Sequence, residues 1–220
     1  MSQKKAIIFD IDNTLVDRKK AFLNLCEYFI EKYSRDYPFE GSKESLIQAM
    51  IIADADGYGG LQNFIPRIRK YWKSLPLSTE EFIVERNAVF GDLTVAYPET
   101  YEVLEKLWGK YRLGVITNGY SSVQRGKMDT VGITKYFDDI IVSGEQPWEK
   151  PDPRIFLLAC ENLQVKPEEA VFVGDYYPND IVGAMNAKIM PIWITEHPDE
   201  HKDFQGIHIP RLSDLLNYFI

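Results

Sequence analysis

Short runs of apolar, β-branched residues alternate along this chain with stretches in which apolar residues return every three or four positions. The runs are Ala6 to Phe9, Leu113 to Thr117, Ile140 to Val142, Ala170 to Gly174 and Met190 to Ile194. Strands alternating with amphipathic helices predict an α/β fold, a parallel sheet covered by helices. Glu99 to Lys110 places Val103, Leu104, Leu107 and Trp108 on one helical face. Asp152-Pro153 supplies an N-cap and a proline at the first helical position, ahead of Ile155, Phe156 and Leu157.

One interval breaks the alternation: about a hundred residues separate the first strand from the second, far more than one crossover helix needs. Its apolar residues have helical spacing throughout. Phe22, Cys26, Phe29 and Tyr33 form one set, Leu46, Ile47, Met50 and Ile51 a second after a Ser42 cap, and Leu61, Phe64, Ile65, Ile68 and Trp72 a third. A fourth helix opens on the capping box Ser78-Thr79-Glu80-Glu81 and runs to Phe90. The interval therefore reads as an inserted helical subdomain over residues 17–95, with residues 1–16 and 96–220 forming the sheet domain. Its turns are Gly57-Tyr58-Gly59-Gly60 and Lys73-Ser74-Leu75-Pro76, and its hinges Thr14 to Asp17 and Asp92 to Tyr97.

Ligands of open parallel sheets bind beyond the carboxyl ends of the strands, so the residues that end each strand matter most. Asp10 and Asp12 follow the first run, two carboxylates one residue apart whose side chains would point the same way on a strand. Their repulsion calls for a divalent cation or for a carboxyl whose pKa is raised. Thr117-Asn118-Gly119 ends the second run, Lys150-Pro151 follows the third, and Gly174-Asp175 ends the fourth with Asp180 five residues beyond Asp175. Carboxylates, a hydroxyl beside small residues and an ammonium together describe a magnesium-assisted phosphate site.

Composition narrows the partners. The 220 residues carry a net charge of −8 without a run of Lys or Arg, which argues against a nucleic-acid polymer. Cys26 and Cys160 stand far apart in apolar helical stretches, as buried thiols do, and imply no disulfide framework. Met1 to Lys5 is basic, but the apolar stretch Ala6 to Phe9 is too short for a signal peptide or a membrane span, so a cytoplasmic protein is expected.

Four motifs occur in order: Asp10-Ile11-Asp12-Asn13-Thr14, the strand ending in Thr117, Lys150 with Pro151-Asp152-Pro153, and Gly174-Asp175-Tyr176-Tyr177-Pro178-Asn179-Asp180. In these the chain resembles the haloacid dehalogenase superfamily of aspartate-nucleophile hydrolases, on its phosphatase branch, over nearly its whole length. It is most similar to small-molecule phosphatases and pyrimidine nucleotidases. The resemblance implies a Rossmann-like sheet core in which the helical insertion is a mobile cap. It implies Asp10 as the nucleophile that forms an aspartyl-phosphate, and Asp12 as the acid and base for the leaving oxygen and the attacking water. Mg²⁺ would be held by Asp10, the Asp12 carbonyl and Asp175, while Thr117, the Asn118 amide and Lys150 hold the phosphate oxygens. Asp180 would orient Lys150 or a metal-bound water. The implied substrate is a small soluble phosphate, with nucleoside monophosphates as the first expectation.

Each residue also has an ordinary structural reading. Thr117 to Gly119 is a common strand-to-helix turn, Lys150 a surface lysine, and Asp175 and Asp180 are acids at a helix start. The four motifs together favour the catalytic set. Asp54-Ala55-Asp56-Gly57 has the wrong spacing for a calcium loop and reads as a helix end. Arg67, Arg69, Lys70 and Lys73 read as a solvated face, and His197, His201 and His208 have no metal-like partners. Other chemistry on the same fold is the alternative. Asp12 argues against a 2-haloacid dehalogenase, which needs no acid for its halide. A phosphonate hydrolase would need a Schiff-base lysine, and nothing singles out Lys19, Lys20 or Lys32. A phosphosugar mutase and a non-catalytic phosphate-binding protein complete the set.

Overall fold

The computed structural model describes residues 3–220; Met1 and Ser2, the start of the basic N-terminal stretch, lie outside the described residues. The chain divides into two compact units, Met1–Asp17 with Ala96–Ile220, and Arg18–Val95.

The first unit is built on a six-stranded sheet of β1 (Ala6–Phe9), β2 (Arg112–Thr117), β3 (Asp139–Val142), β4 (Ala170–Gly174), β5 (Met190–Ile194) and β6 (Ile207–Ile209), in the order β3-β2-β1-β4-β5-β6. All neighbouring strands are parallel, and Phe9 pairs with Val115 on one side and Val173 on the other. Pleating divides the apolar side chains between two cores. Ile7, Phe9, Val115, Val171 and Val173 pack on one face, while Ala6, Ile8, Ile116 and Phe172 pack on the other with Ile155, Phe156 and Ala159. The strand order reverses between β1 and β4, and a reversal of this kind opens a crevice at the carboxyl ends.

The second unit contains α1 (Arg18–Tyr33), α2 (Lys43–Asp54), α3 (Leu61–Ile68) and α4 (Thr79–Val89). The Ser42 and Ser78 capping boxes form, closed by Ser45 and Glu81. Phe29, Phe64 and Phe82 make its aromatic centre, with Phe64 and Phe82 stacked 4.5 Å apart. Two arginines expected on a solvated face are instead tied to backbone: Arg67 donates to the Ala53 and Gly59 carbonyls, and Arg69 to those of Leu75 and Leu77. Asp54-Ala55-Asp56-Gly57 is a helix end, with Ala55 in the left-handed region at the close of α2.

The sheet unit also holds α5 (Thr100–Leu107), α6 (Ser121–Thr130), α7 (Pro153–Asn162), α8 (Val182–Asn186) and α9 (Leu216–Phe219). Asp152 caps α7 through the Arg154 amide. Trp108 departs from expectation: α5 ends at Leu107, the backbone turns extended at Trp108, and its ring is exposed instead of joining the Val103, Leu104 and Leu107 face. Cys26 and Cys160 are buried free thiols. Among the described residues no helix is long and apolar enough to cross a membrane.

Candidate active site

β1 ends at Phe9, so Asp10 and Asp12 lie just past the strand rather than on it. Asp10 continues the ladder with one bond, its amide donating to the Val173 carbonyl at 2.9 Å. The chain then turns so tightly that the Thr14, Leu15 and Val16 amides all point at the Ile11 carbonyl. Asn13 takes a φ of 55° there, a conformation asparagine tolerates better than most residues. The turn sends the two carboxylates to different partners, where strand pleating alone would have sent them to one place.

Asp10 faces Lys150, whose Nζ lies 2.6 Å from its Oδ1. The same ammonium is 2.7 Å from Asp180 Oδ1. Asn118 fixes this lysine from below: its side chain accepts from the Lys150 amide and donates to the Lys150 carbonyl, both at 2.9 Å. The Asn118 side-chain amide is thus committed to placing Lys150, which leaves its backbone N–H for the anion-binding part expected of it. Lys150 precedes a cis proline, Pro151.

β4 delivers the remaining carboxylates. Asp175 follows Gly174, and its carbonyl accepts from the Trp193 indole of β5 at 2.8 Å. Residues Tyr177–Ile181 form one π-helical turn before α8, which brings Asp180 back over the strand end. A Cβ on Gly174 would stand 2.4 Å from Asp180 Oδ2, so only glycine lets that carboxylate lie there. Asp180 Oδ2 accepts from the Tyr176 amide, and its buried Oδ1 faces the Lys150 ammonium. Asp180 therefore touches Lys150 and also joins Asp10 and Asp175 in a set whose carboxylate oxygens lie within 4.8 Å of one another.

Electrostatics follow from that crowding. Burial pushes the Asp10 carboxyl up to about 7; Lys150 opposes the shift, and Asp180 and Asp12 reinforce it. Burial works against the Lys150 ammonium too, but attraction to Asp10 and Asp180 outweighs it and holds its pKa above the usual lysine value.

Two contributors escaped the sequence reading. Lys127 Nζ lies 2.6 Å from both oxygens of Asp12, and Gln124 Nε2 reaches Asp12 Oδ2 at 3.1 Å and also Thr117 Oγ1. Both come from α6, three residues apart on its inner face beside Val123 and Met128, and both are buried. The available signal was polar residues inside an apolar stripe. Because Thr117 Oγ1 accepts from Gln124, its own hydroxyl hydrogen is left to donate to an anion.

The donors fit a hard divalent cation. Asp10, Asp175 and Asp180 can each offer an oxygen to one ion, and Asp10 and Asp180 share the ammonium of Lys150. All the candidate ligands are oxygens, the donors that a hard divalent cation prefers.

A model of the haloacid dehalogenase-like hydrolases matches residues 7–194. The glyceraldehyde 3-phosphate phosphatase of Methanothermobacter thermautotrophicus is 31% identical over 219 residues, covering 96% of each chain. The N-acylneuraminate-9-phosphatase of Homo sapiens is 28% identical over 211 residues, covering 90% of this chain and 85% of that one. In fold the chain is similar to the magnesium-bound HAD-hydrolase YfnB of Bacillus subtilis, with a TM-score of 0.75 over 99% of each chain at 19% identity.

Proposed function

Because the chain belongs to the haloacid dehalogenase-like hydrolases, we propose that it is a magnesium-dependent phosphomonoester hydrolase acting on small soluble phosphates, with Asp10 as its nucleophile. The observation that carries this reading is the gathering of Asp10, Asp175 and Asp180 at the reversal of strand order, with Lys150 against Asp10 and Asp180.

An Asp10 carboxylate oxygen attacks phosphorus, the ester P–O bond breaks, and Asp12 gives a proton to the departing oxygen. Water then attacks the aspartyl-phosphate, Asp12 takes its proton, and the Asp10 carboxylate is regenerated with release of phosphate. Lys150, the Thr117 hydroxyl and the Asn118 backbone N–H bind the phosphate oxygens, where charge accumulates. Asp10, Asp175 and the Asp12 carbonyl are the donors assigned to Mg²⁺, with Asp180 beside them. Bound there, the ion neutralises charge on the carboxylates and phosphoryl oxygens.

The two relatives that span the chain are named for phosphatase action on glyceraldehyde 3-phosphate and on an N-acylneuraminate 9-phosphate, so both compounds join nucleoside monophosphates as candidates. Phosphate release should be measured over these compounds, phosphoglycolate and a phosphopeptide, with and without Mg²⁺. Magnesium-dependent release, with kcat/KM higher for the small phosphates than for the phosphopeptide, is expected. A chain that releases no phosphate from any of them, or is equally active in excess chelator, would overturn the reading.

A further inference from the structure

Asp12 sits in the turn after β1, where the backbone alone leaves a carboxylate several rotamers. Two elements of its surroundings remove that freedom. One ammonium, Lys127 Nζ, is 2.6 Å from both of its oxygens, and the Gln124 amide adds a third contact to Oδ2. Charge-assisted bonds of this length are short and directional, and together they fix both oxygens in one plane.

The cost of the arrangement indicates that packing is not its purpose. Lys127 is 2% exposed and lies on the same helix as the apolar Val123 and Met128, where a methionine would fill the space without burying a charge. Gln124 is equally buried, and it bridges Asp12 to Thr117, the hydroxyl that ends β2. One helix face thus ties together the group that handles the proton and a group that binds the phosphate.

We propose that Lys127 and Gln124 are positioning residues that hold the Asp12 carboxyl in register with the leaving-group oxygen. The inference rests on the phosphatase reading above. Bond formation from Asp10 to phosphorus sends the electron pair of the breaking P–O bond to the leaving oxygen, and the proton from Asp12 must meet it there. An alkoxide needs that proton as the bond breaks, whereas p-nitrophenolate is stable without it. A misplaced Asp12 therefore penalises alkyl esters and spares aryl esters. A role for Lys127 in binding the phosphate itself, or in holding the fold, would penalise both alike.

The test compares kcat/KM, which reports the steps through departure of the leaving group, for glycerol phosphate and p-nitrophenyl phosphate in the presence of Mg²⁺. Lys127→Met should lose on the order of a hundredfold on the alkyl ester and less than about threefold on the aryl ester. Lys127→Arg should recover part of the alkyl activity, and Asp12→Asn should show the same asymmetry in stronger form. Gln124→Leu, which keeps the ion pair, should shift the ratio in the same direction by less and carries the test if Lys127→Met does not fold. Equal losses on both esters in these variants would overturn the positioning role while leaving the phosphatase reading standing. A parent protein that hydrolyses neither ester would overturn the positioning role, and one that also releases no phosphate from the compounds named above would overturn both.

Discussion

Arg18 in the helical unit and Lys150 in the sheet unit are both buried cations that each meet two aspartates, yet the carboxylates around them are arranged differently. Arg18 meets Asp54 fork to fork, with contacts of 2.8 and 3.1 Å, and Asp54 also accepts from the Gly57 amide that closes its own turn. Asp56, half-way into solvent, adds a contact of 3.2 Å to the same guanidinium. Geometry of this kind organises a helix end. Around Lys150 both carboxylates are buried, Asp175 brings a third within 4.8 Å of them, and burial pushes Asp10 up to about 7. Burial of charge is thus not by itself the mark of a site; a close cluster of carboxylates with a raised pKa beyond the strand ends is.

Mutation should separate the two clusters. The largest effect is expected for Asp10→Asn, whose neutral amide has nearly the same shape but is a poor nucleophile. Phosphate release should fall at least about 10⁴-fold, with an unchanged circular dichroism spectrum. Activity within a few-fold of the parent would remove Asp10 from the covalent role. Asp54→Ala, by contrast, strips Arg18 of its bidentate partner and should cost roughly 3–5 kcal/mol in denaturant unfolding. A cost near zero would mean that the Arg18 cluster is not structural, and the comparison would fail from that side.

Proton linkage sharpens the same contrast. The folded pKa of Asp10 lies above its ordinary 3.8, so the metal-free native state binds more protons than the unfolded chain between that value and about 7. This carboxyl therefore contributes a loss of stability as pH rises through that window. Asp10→Asn should remove its part of the slope, visible as a midpoint difference from the parent that grows from pH 4 to pH 7. A difference that shrinks over this range would reverse the sign of the argument. The smallest effect is expected for Arg125→Ala. The Arg125–Glu145 pair is partly exposed, and its loss should cost under about 1 kcal/mol in the same unfolding measurement.

Much of this was legible in the amino-acid order. β1 and β4 are continuous apolar runs set between charged residues, Lys5 and Asp10 for one and Glu169 and Asp175 for the other, so their limits follow from burial alone. Ser42, Ser78 and Asp152 mark helix starts because an unsatisfied helix amide needs a side-chain oxygen at that position. What stayed hidden depends on tertiary contact. β6 has three residues, too few to establish a period. Lys127 and Gln124 gain their meaning from a turn more than a hundred residues earlier, and helix spacing cannot announce that meeting. Asp180 reads as an ordinary first-turn acid until a π-helical turn swings it over Gly174.

Asp10, Asp175 and Asp180 together are expected to hold one divalent cation, whereas the Arg18 cluster is not. Calorimetric titration of Mg²⁺ into the parent, Asp175→Asn and Asp54→Asn at pH 5 and pH 8 tests it most directly. One site is expected in the parent, weaker at pH 5 because the proton on Asp10 must be displaced. It should be lost or greatly weakened in Asp175→Asn and unchanged in Asp54→Asn. Binding that survives Asp175→Asn intact, or that disappears with Asp54→Asn in a folded protein, would contradict it.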